Sequence, residues 1–280
     1  MNEYVRTNKY FYFFVTIYFF LRIIKQYMAI KSSENFIDTN LNFYLKVLSK
    51  QDKYKKQLIV IIPVFNEADI LDKTIQHFKE ISNQGVEFKL VFVITEKEGS
   101  PENNLTFQKL KYNLNDNMFI KHFPYNEGNK SDQINYVITE YLNNEKYNNL
   151  STYYGIFDAD SLPNIRRLDY LLKEHSNHFI YQMFSIYSSN KANAIFQTRW
   201  TMSYELPNSV VNYSKKGISH FSYTIGHGLF VRKDYVEENL FPSDVLTEDI
   251  LFGYIALNNG ICVKPIPFFD YCFSSSTLPA

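Results

Sequence analysis

The chain has 280 residues, of which 45% are hydrophobic and 21% are charged. This composition excludes a disordered chain, and the length allows one large domain or two small ones. The 29 basic and 29 acidic residues cancel, so we expect no nucleic acid or other polyanion as a partner. The two cysteines, Cys262 and Cys272, lack the spacing of a metal site and favour a reducing, cytosolic compartment.

The first predicted element is an apolar and aromatic run of 12 residues, Tyr10 to Leu21. A helix needs about 20 apolar residues to cross a bilayer, so this run alone is too short. Arg22 and Lys25 interrupt it and more apolar residues follow, which suits a tilted span with snorkelling cations or a helix lying in the interface. A helix packed on the protein's own core is the alternative. We expect residues 1–50 to associate with the cytoplasmic face of the cell membrane.

A polar helix is predicted next, between Ser32 and Lys56, from apolar residues at helical spacing. It would connect the apolar segment to a domain of residues 51–280.

Apolar runs rich in β-branched or aromatic residues then predict strands, with helical patterns between them. These runs cover residues 58–65, 88–95, 118–124 and 153–160. Strands that alternate with helices predict a doubly wound, Rossmann-like α/β sheet flanked by helices. Ligands of such sheets bind beyond the carboxyl ends of the strands. Three polar pairs fall at such ends: Asn66 with Glu67, Thr95 with Glu96, and Asp158 with Asp160.

Asp158 and Asp160 pose an electrostatic problem, because two carboxylates at this spacing repel each other. Burying either one without a partner costs several kcal/mol. A cation, a set of hydrogen-bond donors or open water must therefore compensate them. Mn²⁺ and Mg²⁺ prefer oxygen ligands and often bind one or two carboxylates together with phosphate oxygens. No glycine-rich phosphate loop is present in the sequence.

A second acidic pair, Glu248 and Asp249, follows Thr247 at the start of a predicted helix. Thr247 is expected as the N-cap or a first-turn residue. Carboxylates are stabilised at helix N-termini by the helix dipole, so a purely structural role is a substantial alternative for this pair.

The chain contains five motifs in order: IIPVFNE (61–67), GNKSDQIN (128–135), FDADSLP (157–163), GHGLFVRKD (226–234) and TEDILFG (247–253). Each motif is weak alone, whereas the five in register are specific. Together they resemble the family-2 glycosyltransferases of GT-A fold over about residues 57 to 270. The likeness is greatest to the membrane-associated branch that includes cellulose- and hyaluronan-synthase-like enzymes.

The resemblance implies a mixed sheet and a metal-dependent, inverting transfer of a sugar from a nucleoside diphosphate sugar, with UDP as the expected nucleotide. The acceptor would be a hydroxyl group of a glycan or of a lipid-linked glycan. Residues 51–160 would form the nucleotide-binding half of the domain, and residues 161–280 the acceptor half.

The family's site residues carry over onto matching positions. Asp249 matches the catalytic base of a Glu-Asp pair, with Glu248 beside it. Asp158 and Asp160 match an Asp-x-Asp motif that holds Mn²⁺ or Mg²⁺, with Asp160 as the principal ligand. The loop at Gly226 would border the donor sugar and the acceptor. The residues expected at the nucleotide sugar are Pro63, Glu67, Glu96, Lys130, Asp158, His227 and Gly228. Glu96 stands where the family usually has an aspartate, so its contact with the base would be altered.

Two features depart from the family pattern. Processive members carry Gln-x-x-Arg-Trp after the Glu-Asp pair, whereas this chain has FQTRW (196–200) before it. We interpret FQTRW as part of an interior strand or helix, with Trp200 in the core. The sequence also stops where relatives continue into an acceptor-site helix and further membrane segments, which suggests truncation.

Two other functions fit parts of the sequence. A haloacid-dehalogenase-type phosphatase also has an Asp-x-Asp motif at a strand end, but there the motif opens the first strand of the domain. The second alternative is a protein that binds a nucleotide sugar and has lost catalysis.

Overall fold

A computed structural model of the chain describes residues 2–48, 56–142, 151–187, 192–215 and 224–272. The helices are α1 (Asn2–Leu48), α2 (Leu71–Asn83), α3 (Leu105–Asn113), α4 (Lys130–Tyr136), α5 (Ile165–Lys173), α6 (Ala192–Trp200), α7 (Leu206–Lys215), α8 (Lys233–Glu238) and α9 (Glu248–Asn258). The strands are β1 (Lys56–Pro63), β2 (Lys89–Thr95), β3 (Met118–Phe123), β4 (Ser151–Ile156), β5 (Ser161–Leu162), β6 (Ile180–Tyr187), β7 (Leu229–Arg232) and β8 (Val263–Cys272). Single π-helical turns, Val137–Leu142 and Thr201–Glu205, extend α4 and precede α7.

The strands form one mixed sheet in the order β3-β2-β1-β4-β7-β6-β8-β5. β1 pairs in parallel with β2 and β4, and β2 pairs in parallel with β3. β7 is antiparallel to both β4 and β6. The predicted mixed α/β sheet with flanking helices is therefore confirmed. Because β1, β2 and β4 are parallel, their carboxyl ends meet at one edge of the sheet.

Each face of the sheet carries its own hydrophobic core. In β1, Leu58, Val60 and Ile62 pack with α2, α3 and α5 on one face. Ile59 and Ile61 pack with α4, α8 and α9 on the other face. Alternate side chains of a strand point to opposite faces, so a strand covered by helices on both sides must be apolar throughout. This requirement explains the continuous apolar run that predicted β1.

Helix α1 is one continuous element of 47 residues. The predicted connecting helix between Ser32 and Lys56 agrees with the structure as far as Leu48, and it continues the apolar segment without a break. Residues 2–48 contain neither proline nor glycine, so nothing in the sequence breaks the helix. Within the described residues, one stretch of α1, Tyr10–Thr39, is long and apolar enough to cross a membrane, and 6% of its apolar window is buried. A signal sequence would meet the same criterion of length and composition.

A buried charge cluster lies at the opposite end of β1 from Pro63. Lys56 is 2% exposed, and its Nζ lies 3.6 Å from Glu174 Oε2 and 3.0 Å from the Tyr181 hydroxyl. Lys264 also forms an ion pair with Glu174. Burial lowers the pKa of Lys56 to about 7. One carboxylate thus lies between two buried lysines, and it compensates both of them when they are protonated, below about pH 7.

Replacing Glu174 by glutamine should lower the free energy of unfolding by about 3 kcal/mol, because removing one partner leaves buried charge uncompensated. Urea denaturation measures this value. The exposed Glu87→Gln is the matched control and should stay within about 0.5 kcal/mol of the wild type. Equal stability of the two variants would show that the cluster does not depend on Glu174.

Candidate active site

A cavity of about 280 Å³ lies beyond the carboxyl ends of β1 and β4. Pro63, Glu67 and Lys97 line it from the β1 and β2 side, and Lys130 and Asp158 line it from α4 and the end of β4. The structure therefore brings four of the predicted nucleotide-sugar residues together, and adds Lys97, which the sequence patterns did not single out.

Lys130 occupies the centre of this group. It is the first residue of α4, and Asn129 caps that helix through a reciprocal capping box with Asp132. The Lys130 ammonium forms an ion pair with Asp158 Oδ1 and donates a hydrogen bond of 2.7 Å to the carbonyl oxygen of Gly226. The cap fixes the start of the helix and so directs Lys130 toward the end of β4.

Asp158 is held ionised by its neighbours. His227 Nδ1 lies 3.5 Å from Asp158 Oδ2, on the other side of the carboxylate from Lys130. Burial disfavours the charged form of Asp158, but the charges of Lys130 and His227 outweigh it and keep the pKa below its usual value. Burial also lowers the pKa of His227, against the attraction of Asp158.

The described residues compensate the carboxylates of Asp160 and Glu67 only in part, through Lys130. Burial, followed by repulsion from Asp158, raises the pKa of Asp160 to about 6. Burial raises the pKa of Glu67 to about 7, with Asp158 and Asp160 adding to the effect. A divalent cation with a preference for oxygen would relieve this repulsion, so the residues present fit Mn²⁺ or Mg²⁺.

The described residues do not form a complete cation site by themselves. Among them, no group of three or more His, Cys, Asp or Glu side chains could hold a metal ion. Asp158 is already paired with Lys130, which leaves Asp160 as the better candidate ligand. Further oxygen ligands would have to come from a bound molecule such as a diphosphate.

Asp249 joins the same network from the start of α9. Its Oδ2 accepts a hydrogen bond of 2.8 Å from Gly226 N–H, and its Oδ1 accepts one of 2.8 Å from Ile250 N–H. Gly226 thus contacts Asp249 through its N–H and Lys130 through its carbonyl oxygen. Thr247 occupies the predicted N-cap position without a side-chain hydrogen bond. Glu248 is half-buried and makes no hydrogen bond or ion pair within the described part of the chain.

Glu96 lies apart from the cavity lining. It follows β2, and its Oε2 lies 2.8 Å from His122 Nε2. The next residue, Lys97, lines the cavity instead, and its ammonium group donates to the carbonyl oxygen of Gly128. The predicted contact between Glu96 and a base stays a prediction.

Gln182, in the middle of β6, is a site residue that sequence reasoning missed. Its fully buried side chain accepts a hydrogen bond of 2.8 Å from Ile225 N–H and donates one of 2.9 Å to the carbonyl oxygen of His227. It therefore holds both ends of the loop that carries Gly226 and His227. A single glutamine in a strand has no sequence signature that distinguishes this role.

Gly228 ends this loop in a conformation that requires glycine. Its φ is +62°, and an added Cβ would lie 2.8 Å from Met183 Cβ. The close approach allows Met183 N–H to donate a hydrogen bond of 2.7 Å to the carbonyl oxygen of Gly228. Gly228 therefore seats the loop directly on β6.

A second cavity of about 360 Å³ is lined by His227 together with Phe196, Trp200, Glu205 and Ile225. FQTRW is helical, in α6, but the prediction that Trp200 lies in the core was wrong, since its side chain is 42% exposed. Aromatic residues at i, i+4 and i+8 stack on one another along the helix. The ring centroids of Trp200 and Tyr204 are 4.4 Å apart.

A family model described as glycosyl transferase family 2 matches residues 59–240. The chain belongs to this family. The match leaves a haloacid-dehalogenase phosphatase without support, since Asp158 and Asp160 follow the fourth strand and not the first. No curated protein matched the chain.

Two solved structures show the same GT-A-like fold at low sequence identity. A mannosyltransferase, PcManGT from Pyrobaculum calidifontis in complex with GDP-Man and Mn²⁺, is 12% identical, with a TM-score of 0.56 over 91% of this chain and 70% of its own. S. aureus TarS 1–349 in complex with UDP-GlcNAc is 16% identical, with a TM-score of 0.52 over 79% of this chain and 59% of its own. The chain thus spans less than two thirds of that TarS fragment.

Gly228→Ala should lower the free energy of unfolding by roughly 1–3 kcal/mol more than Gly260→Ala. Both glycines have positive φ, but an added Cβ at Gly260 meets nothing within 4 Å. The difference between the two variants in urea denaturation therefore isolates the contact with Met183. If the two variants lost equal amounts of unfolding free energy, the loop would be able to move away from β6 at no cost in stability.

Asp160→Asn should stabilise the metal-free protein at pH 8 and have little effect at about pH 3.5, below the pKa of Asp160 in both states. The pKa of Asp160 is higher in the folded state than in an unfolded chain, so the folded state binds more protons between about pH 4 and 6 and loses stability as the pH rises. Allowing for partial exposure, we expect about 2 °C in Tm at pH 8, measured by calorimetry. The exposed Asp116→Asn is the control. A gain that is the same at both pH values would contradict the electrostatic cause.

Proposed function

We propose that the chain is a metal-dependent, inverting glycosyltransferase that moves a sugar from a nucleoside diphosphate sugar to a hydroxyl acceptor. The observation that carries this proposal is the chain of contacts from Asp158 through Lys130 and Gly226 to Asp249. It links an acidic pair suited to a diphosphate with a carboxylate suited to proton transfer. Family membership supports the same reaction class.

The donor would occupy the cavity between β1 and α4. Lys130 and Lys97 line this cavity and would offer positive charge to a diphosphate, and Pro63 and Glu67, which also line it, would border the nucleoside. Asp160, with Asp158, would hold Mn²⁺ or Mg²⁺, which supplies Lewis-acid stabilisation of the departing diphosphate when bound. His227 and Gly228 would border the sugar, and Glu96 the base. UDP is the expected nucleotide.

Asp249 would act as the base. Its carboxylate would take the proton of the acceptor hydroxyl while that oxygen forms a bond to the anomeric carbon. The bond between that carbon and the diphosphate breaks, and its electron pair leaves with the nucleoside diphosphate. Attack from the side opposite the leaving group inverts the configuration. The hydrogen bonds from Gly226 and Ile250 orient the carboxylate for this step.

The acceptor would enter through the second cavity, which His227 lines. The residues of the donor cavity come from positions 63–159, whereas those of the second cavity come from positions 185–227. This separation supports a nucleotide-binding half in residues 51–160 and an acceptor half in residues 161–280. The exposed face of Trp200 suits a sugar ring of a glycan or lipid-linked glycan.

The chain would lie at the cytoplasmic face of the cell membrane, as the resemblance to the cellulose- and hyaluronan-synthase-like branch implies. The apolar part of α1 supports the association with a membrane.

Titration of the full chain with UDP and with GDP, with and without Mn²⁺, tests the donor site. Nucleoside diphosphate affinity should rise at least tenfold with Mn²⁺, and Asp160→Asn should remove this increase, whereas Asp116→Asn should keep it. If the chain bound neither UDP nor GDP, the proposal would be wrong.

Asp249→Asn should leave nucleotide affinity unchanged and lower donor turnover by about 10²–10⁴-fold, since one proton-transfer group is lost. Hydrolysis of the donor sugar, with water as the acceptor, measures this without a known acceptor. Unchanged turnover in the variant would exclude Asp249 as the base. Binding without any turnover in the wild type would favour the catalytically inactive nucleotide-sugar-binding protein.

A further inference from the structure

Helix α1 has two parts with different surroundings. From Tyr10 to Leu21 the large side chains are mostly exposed, for example Phe14 at 67% and Leu21 at 59%. Further along, Ala29 and Ser33 are buried, and Phe36 packs with Val210 of α7 in a small core beside β6. The first part thus projects from the domain, and the second part is fastened to it.

A third cavity, of about 410 Å³, lies where these two parts meet. Tyr18, Arg22, Lys25 and Gln26 line it from α1, at spacings of four, seven and eight residues, which put them on one face of a helix. Tyr204 and Asn208 line it from the side of α7. Both charged side chains of this lining are cations, so the cavity suits an anion.

Arg22, Lys25 and Gln26, the donors that α1 contributes to this cavity, have few protein acceptors among the described residues, and Arg22 and Lys25 are exposed to solvent. The buried Nε2 of Gln26 has no hydrogen-bond partner, and Lys25 forms no ion pair within the described ranges. Arg22 Nη1 reaches only the Tyr18 hydroxyl, at 3.4 Å. Leaving a buried amide N–H without an acceptor is unfavourable, so a ligand with several acceptor oxygens would stabilise the arrangement.

We propose that this cavity binds the phosphate headgroup of an anionic membrane lipid. A phosphate offers oxygens to the guanidinium, the ammonium and the amide N–H together. The lipid chains would lie against the exposed apolar side chains from Tyr10 to Leu21. At about 1.5 Å per residue these extend roughly 18 Å from the cavity, about half of a hydrocarbon layer of about 30 Å. The cavity then lies at the depth of the headgroups.

The cavity also adjoins the acceptor region. Tyr204 lines it and stacks on Trp200, which lines the cavity that borders His227. A lipid held here is therefore placed to present a hydroxyl or glycan to the donor site, an extension that rests on the proposed glycosyltransferase function. The lipid site itself does not depend on that function.

Calorimetric titration of the full chain in a neutral detergent tests the site with three probes. These are dioctanoyl phosphatidic acid, dioctanoylglycerol and inorganic phosphate. The lipid phosphate should bind at least tenfold more tightly than the other two. Equal affinity for inorganic phosphate would assign the cavity to free phosphate, and equal affinity for dioctanoylglycerol would show that the headgroup is not recognised; either result would overturn the proposal.

Two variants separate a defined site from general surface charge. Arg22→Gln/Lys25→Gln should weaken phosphatidic acid binding at least tenfold. Lys31→Gln/Lys73→Gln removes the same charge at exposed positions outside the cavity and should weaken it less than threefold. Gln26→Leu, which keeps the charge, should weaken binding about threefold or more. Equal losses in the two double variants, or no loss in Gln26→Leu, would contradict the proposed site.

The affinity of the Arg22→Gln/Lys25→Gln variant for UDP or GDP with Mn²⁺ should equal that of the wild type. Nucleotide affinity and phosphatidic acid affinity are thus measured separately. Loss of one with the other intact shows which of the two proposals has failed.

Discussion

The arrangement of the candidate active site depends on the ammonium group of Lys130, which is shared between Asp158 and the carbonyl oxygen of Gly226. Asp158 belongs to the parallel half of the sheet, and Gly226 precedes the antiparallel strand β7. Gly226 N–H in turn donates to Asp249, so Lys130 connects the segment of Asp158 with the segment of Asp249. The N-cap of α4 fixes the position of this positive charge.

The same site retains repulsion that its own residues do not remove. Asp160 and Glu67 both have raised pKa values beside an ionised Asp158. Functional sites often hold charge in this way, at a cost in stability that a bound ligand offsets. In a family of glycosyltransferases, a cation and a diphosphate together would supply both the positive charge and the missing oxygen ligands.

Sequence patterns predicted those features that simple physical constraints impose. β1 is apolar throughout because helices cover both of its faces. The polar residues that follow β1 lie at the edge of the sheet where ligands bind. The meeting of Lys130, Asp158 and Asp249 could be predicted only through family motifs, since local patterns do not report contacts between distant segments. The prediction of a core position for Trp200 was wrong. An aromatic residue at helical spacing is typical of a core, whereas Trp200 stacks on aromatic residues of its own helical segment. No sequence pattern marks Gln182 as a residue that holds the loop.

Gln182 also makes the active-site loop sensitive to strand alignment. It lies opposite Leu229 in the antiparallel pairing of β6 with β7. A slip of one residue in β6 would turn its side chain to the other face of the sheet and leave the backbone of Ile225 and His227 without their partner. The loop can therefore adopt its geometry only in correctly aligned molecules. Because β6 and β7 are separated by α6 and α7, this alignment is a long-range event, and the geometry of the loop depends on contacts that are slow to form in folding.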